Sequence, residues 1–258
     1  MSGPLRLDHD GPLAVLTLDA PPLNLFDRAL IDALLAAIGD VEAASPRGLL
    51  IRAEGRAVSG GVDVALFDGL GPEDAGRLWS ELLAMIHRVE ALAFPTVFAA
   101  HALCLTAAFE LALACDLLVA AESARFGLVE TVVGLTPAMG GTQRLAERAG
   151  PARARELVMT GGLYDAPALE RWGVVNRVFA DDGFEADARG YAMALAQGPT
   201  LAHAATKAIV RAQVEGGTRA ADAIVPATAG GLFATDDLEN AVRSFLERGP
   251  GHATYVGR

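Results

Sequence analysis

The sequence predicts an α/β fold in which short strands and helices alternate over residues 1–195, followed by a helical C-terminal region over 196–258. Three observations support this. Strand-like runs at 48–53, 96–102 and 116–122 are separated by helix-like ones, and strand, helix and strand in succession imply parallel crossovers. The units are short and alike, which suits a coiled or spiral stack better than a flat doubly wound sheet. From Gly140 onward the pattern turns mainly helical, with one strand-like run, VVNRVF at 174–179.

Taken in order, LRLDH (5–9) and LAVLTL (13–18) read as two strands joined by the turn signal Asp10-Gly11. Pro21-Pro22 ends the second strand. A helix from about Asp27 carries Leu30, Leu34 and Ile38 at helical spacing. GLLIRA (48–53) is a buried strand, and the glycine-bearing loop EGRAVSGGVDVALF follows it. Residues 73–92 form an amphipathic helix with Trp79, Leu82, Leu83, Ile86 and Val89 on one stripe. TVFAAHA (96–102) is a strand, TAAFELALA (106–114) a helix and DLLVAAE (116–122) a strand. Helices are then expected at 140–149, 152–160, 166–172, 182–197, 199–215 and 235–248.

Composition narrows the function classes. The chain has 258 residues, of which 52% are hydrophobic, enough for a sizeable core. A net charge of −11 argues against a nucleic-acid partner bound through a basic face. Lys207 is the single lysine among 21 basic residues, so any anion must be met by arginine forks and backbone N–H groups. Cys104 and Cys115 lack a CxxC spacing and read as core thiols of a reducing compartment. The opening MSGPLRLDHDG has no basic patch followed by an apolar core, so no signal peptide is expected. The scattered histidines give no metal spacing, and there is no dinucleotide fingerprint or P-loop.

Phe94–Ala121 is the most informative stretch. It is apolar and small-residued, interrupted by His101, Glu110 and Asp116. Spanning a membrane would place both carboxylates in the span, at about 2.5–3.5 kcal/mol each near its centre. A soluble cytoplasmic protein is expected instead. A carboxylate in such a run is costly to bury unless it is paired or used. Ser59 lacks the glycine two residues before it that a nucleophile elbow needs, Asp63 reads as an N-cap for VALFDGL, and His101 reads as a core histidine or one packed behind the site.

Three segments converge on one chemistry: RAVSGGVDV (56–64), HALCLTAAFELALACD (101–116) and ARFGLVETVVGLTPAMGG (124–141). With PPLNLFD, GGTQRL, MTGGLYDAPALERWGVVNRVF and the terminal SFLERGPGHATYVGR, they resemble the crotonase family, the enoyl-CoA hydratase/isomerase superfamily, over nearly the whole chain. The resemblance implies a crotonase-like spiral of ββα units whose C-terminal helices form a trimerisation region. It also implies an acyl-CoA thioester as substrate, no separate cofactor because coenzyme A arrives with the substrate, and a homotrimer or dimer of trimers.

Residue by residue, the resemblance assigns catalysis to Glu110 and Glu130. Glu130 delivers a proton to Cα and Glu110 positions and activates water with it. The backbone N–H groups of Val62 and Ala107 match the oxyanion hole, and N–H groups at a helix start are in any case unpaired and favour developing negative charge. Ser59, Gly61, Asp63 and Val64 are expected to line the substrate, and Arg28, Arg56 and Arg248 are candidates for the CoA phosphates. Where the family usually has three glycines before the first glutamate's helix, this chain has Thr106-Ala107-Ala108. The leading activity is hydration of a 2-enoyl-CoA. Double-bond isomerisation by one glutamate, another crotonase-type reaction and non-catalytic binding of a CoA ester are the alternatives.

Overall fold

The computed structural model describes residues 3–258; Met1 and Ser2, at the head of the stretch read for a signal peptide, lie outside them. Strands β1 (Leu5–Asp10) and β2 (Leu13–Leu18) form an antiparallel hairpin in which Asp10 faces Leu13. Helix α1 (Arg28–Ala44) starts where the Asp27 carboxylate accepts the Leu30 N–H at 2.8 Å. Strand β3 (Gly48–Ala53) follows, then a loop ending in a 3-10 turn at Val64–Phe67. Helix α2 (Pro72–Ala91) buries Leu82, Met85, Ile86 and Val89, and leads to β4 (Thr96–Ala100).

The expected strand over 96–102 is in fact two. The chain leaves β4 at His101-Ala102 and enters a short strand, β5 (Leu103–Leu105), in a different sheet. Helix α3 (Thr106–Ala114) follows with all nine residues buried, which is why it is apolar on every side except at Glu110. Then come β6 (Leu117–Ala121), β7 (Arg125–Gly127), a 3-10 turn at Glu130–Val133, α4 (Gly141–Ala149), α5 (Pro151–Thr160), β8 (Tyr164–Asp165), α6 (Ala166–Arg171), β9 (Arg177–Phe179) and α7 (Phe184–Ala196). Helix α8 (Thr200–Gly231) runs well past the expected end at 215, but the backbone breaks from helical geometry at Gly217. A 3-10 turn and α9 (Asp236–Arg248) finish the chain.

The strands make two sheets. The larger has the order β1-β2-β3-β4-β6-β9 and is parallel from β2 onward. The smaller, β5-β7-β8, consists of strands of two or three residues that no period-2 pattern foreshadows. The loop after β3 joins it, since Ser59 bridges Cys104 in parallel, while a second parallel bridge ties Val62 to Phe26 ahead of α1. This smaller sheet sets the glycine-bearing loop against the start of α3. The result is a mixed α/β fold with a helical C-terminal region.

Asp116, the second carboxylate of the apolar stretch, is paired. It accepts the Thr96 N–H at 2.8 Å and hydroxyl at 2.9 Å, and meets Lys207 Nζ at 2.7 Å. Lys207 also donates to the Phe94 carbonyl at 3.1 Å, so α8 is tied to both ends of that stretch. Arg148 donates to the Leu113 and Cys115 carbonyls, satisfying the C-terminal end of α3. Cys104 and Cys115 are buried free thiols.

Candidate active site

Glu110 lies in the second turn of α3 and is 2% exposed. Its Oε1 accepts the Met139 N–H at 2.9 Å and the Gly141 N–H at 2.8 Å, both from the loop that enters α4. Gly141 must be glycine, because a Cβ there would stand 2.6 Å from Glu110 Cγ. Burial pushes the Glu110 carboxyl up to about 8; the nearby charge of Glu130 adds to this, while the two N–H groups and Arg144 oppose it. Arg144 is itself paired with Glu90 at 2.7 Å.

Glu130 opens the 3-10 turn at Glu130–Val133. Both its carboxylate oxygens are buried, and neither has a hydrogen-bond partner among the described residues. Burial holds its carboxyl at about 7. It neither caps the turn nor pairs with Arg125, whose guanidinium bonds the Ala124 carbonyl. A buried carboxyl without partners is uncommon in a folded protein and calls for a specific reason.

Ala107 and Glu110 are three residues apart and so share one face of α3. Ala107 is fully buried in the first turn, where its N–H has no partner within the helix. The Val62 N–H, the other expected oxyanion donor, is already occupied: it donates to Thr106 Oγ1 at 3.2 Å. Thr106 is 7% exposed and has φ of 46°, in the left-handed region, an outlier for a β-branched residue. Gly61, at φ 100°, makes room for it, since a Cβ on Gly61 would lie 2.2 Å from Thr106 Oγ1.

The remaining expected residues separate. Ser59 is fully buried; its hydroxyl donates to the Asn24 carbonyl at 2.6 Å and accepts the Gly61 N–H at 2.9 Å, so it builds the loop and does not face a ligand. Asp63 caps the 3-10 turn by accepting the Ala65 N–H at 3.0 Å. Val64 beside it is exposed. Arg28, read as a phosphate ligand, has its fork filled by Asp32 and Glu81. Arg248 bonds Ser244 Oγ and the His252 carbonyl, and Arg56 is exposed. His101 bonds the Gly55 carbonyl at 2.9 Å, outside the glutamate pair. A cavity of 830 Å³ lined by Asp116, Arg144 and Lys207, among others, includes neither glutamate.

Sequence reasoning missed Asn24, Met139 and Gly141, and read Thr106 only as a departure from the family's glycines. Asn24 Nδ2 donates to the carbonyls of Glu54, Ala57 and Val58 and so clamps the glycine-bearing loop. Met139 and Gly141 contribute only backbone N–H groups, which no side chain announces; the Gly140-Gly141 pair was the available signal.

The family model described as enoyl-CoA hydratase/isomerase matches residues 8–254. A probable enoyl-CoA hydratase of Rhizobium meliloti is 31% identical over 250 residues, covering 95% of each chain. A carnitinyl-CoA dehydratase of Salmonella enteritidis is 37% identical over 222 residues, 83% of each chain. The crystal structure of an enoyl-CoA hydratase from Bacillus anthracis superposes with a TM-score of 0.91 at 26% identity, covering 99% of this chain and all of that one. The chain therefore belongs to the enoyl-CoA hydratase/isomerase family.

Proposed function

We propose that the chain adds water to a 2-enoyl-CoA, with Glu110 and Glu130 as its acid–base pair. One observation carries this reading: Glu110 is buried within reach of the charge of Glu130, and Glu130 spends neither oxygen on the protein. Burial raises both carboxyls above the ordinary carboxylate range, so the pair holds a proton that either carboxyl can carry, and hydration uses the form with that proton on Glu130. The relatives' names describe gain or loss of water, which supports this chemistry over others on the same scaffold.

In the proposed reaction Glu110, anchored through Oε1, leaves Oε2 to hold a water molecule. The water gives its proton to Glu110 as its oxygen bonds to Cβ. The Cα=Cβ electron pair moves toward the thioester carbonyl, whose oxygen gains charge at the start of α3. The Glu130 carboxyl proton then passes to Cα, and transfer of the proton from Glu110 to Glu130 restores the pair. No cofactor beyond the substrate's own coenzyme A is required. We place the protein in the cytoplasm on the strength of its two free thiols. The assembly is a homotrimer or dimer of trimers, with residues 196–258 as the trimerisation region on a core of 1–195; the exposed Val210, Val214, Phe233, Phe245 and Leu246 of that region support it.

Loss of the conjugated-thioester absorbance of 2-enoyl-CoA measures the activity. Glu130→Gln is expected to lower kcat by roughly 10²–10⁴-fold. A folded protein that turns over no enoyl-CoA of short to long chain overturns the reading. Glu110→Ala separates hydration from isomerisation, because an isomerase relying on Glu130 alone retains most of its rate.

A further inference from the structure

Resting on the reading of this site as a thioester-activating one, we propose that the Thr106 hydroxyl is the second donor of the oxyanion hole, standing in for the Val62 N–H that it occupies. The Val62 N–H is spent on Thr106 Oγ1 at 3.2 Å, so a carbonyl oxygen arriving there meets the hydroxyl first. That hydroxyl accepts one bond, and its own proton has no acceptor among the described residues. It is more than nine-tenths buried, one residue before Ala107, whose N–H is also unpaired within the helix. The two unspent donors are therefore adjacent in the chain at the start of α3.

The position is held by two features with no other evident purpose. Thr106 adopts φ of 46°, which a β-branched residue takes only against strain, and such strain gathers at functional sites. Gly61 gives up its side chain so that Thr106 Oγ1 can lie where a Cβ would be 2.2 Å away. The chemistry favours the arrangement. An N–H donating to a hydroxyl oxygen polarises its O–H, and bonds in such a chain reinforce each other. An O–H···O⁻ bond is shorter and stronger than a neutral one, so the hydroxyl gains most as the carbonyl oxygen becomes an enolate oxygen.

Full-length Thr106→Val, Thr106→Ser and Thr106→Gly variants test this with two readouts. Thr106→Val keeps the volume and removes the donor, and its kcat is expected to fall by about 10²-fold with little change in KM. Thr106→Ser is expected to stay within about fivefold of the unsubstituted protein. The second readout needs no turnover. In a Glu130→Gln background, bound 2,4-dienoyl-CoA absorbs at longer wavelength when its carbonyl is polarised. The shift is expected with Thr106 and Thr106→Ser and lost with Thr106→Val.

Thr106→Val that keeps both the rate and the band shift overturns the inference. So does Thr106→Gly that runs faster than the unsubstituted protein, because the hydroxyl would then be an obstruction. If Thr106→Val does not fold, Thr106→Cys decides: its weak S–H donor should leave it well below Thr106→Ser, and equality overturns the proposal. A band shift that follows the hydroxyl without any hydration defeats the hydratase reading and leaves this inference standing. Hydration indifferent to Thr106→Val does the reverse.

Discussion

Glu110 is almost wholly enclosed, and its anchors are two backbone N–H groups. Its folded-state carboxyl lies at about 8, above the ordinary carboxylate range, so the folded state binds the proton more tightly than the unfolded chain does. The stability this contributes is complete below the unfolded carboxylate range near pH 4 and is lost as pH rises through about 8. Glu110→Gln should remove this dependence. Between pH 5 and 9 the unsubstituted protein is expected to lose on the order of 1–3 kcal/mol more than the variant, which urea unfolding at each pH would read. Equal losses would place the carboxyl in a wetter site than the structure shows. A carboxylate inside an apolar run is legible in sequence because its burial is expensive. Its partners were not legible, because backbone amides are the same in every residue and only folding aims them. Arg28 is the opposite case: its charge was evident, but the two carboxylates that fill its fork are four and fifty-three residues away.

At the scale of elements, α3 and the entry to α4 form one device. Gly141 lets α4 start against the Glu110 side chain, and Gly140, at φ 93°, turns the chain into that position. Gly141→Ala would drive a methyl to 2.6 Å from Glu110 Cγ, with the Glu110 carboxyl itself 3.0 Å away. Its expected effect is a fall in kcat of about 10²-fold, through a carboxyl displaced by a fraction of an ångström. Circular dichroism and a thermal melt would show the fold retained, and full activity would mean that Glu110 needs no fixed position. Helices such as α1 and α2 were legible because apolar stripes recur at helical spacing, and β2, β3, β4 and β6 because buried parallel strands read as apolar runs. The smaller sheet was not. Its strands are two or three residues long, and their pairing depends on partners far apart in sequence. That sheet carries the glycine-bearing loop, so the part of the fold hardest to read is the part that brings Val62 to Thr106. The helix expected to end at 215 breaks from helical geometry only at Gly217, and α8 continues beyond it.

The whole molecule leaves a row of apolar side chains uncovered on its last helices. Phe233 is 83% and Leu246 80% exposed, and Val210, Val214, Val242 and Phe245 are at least half so. Exposed apolar patches of this kind are typical of interfaces, which suits the assembly proposed above. Light scattering is expected to give three or six times the chain mass, and Phe245→Asp with Leu246→Asp to shift it toward the monomer. An unsubstituted protein that scatters as a monomer would sink the trimer. The tie between α8 and the core has a further consequence, for self-modification. Thioesters acylate amines, and Lys207 is the chain's one side-chain amine. Its nitrogen is only partly accessible and is committed to the Asp116 carboxylate and the Phe94 carbonyl. A protein that handles activated acyl groups has thus left them almost nothing on its own side chains to attack, and has turned the single exception into a strut.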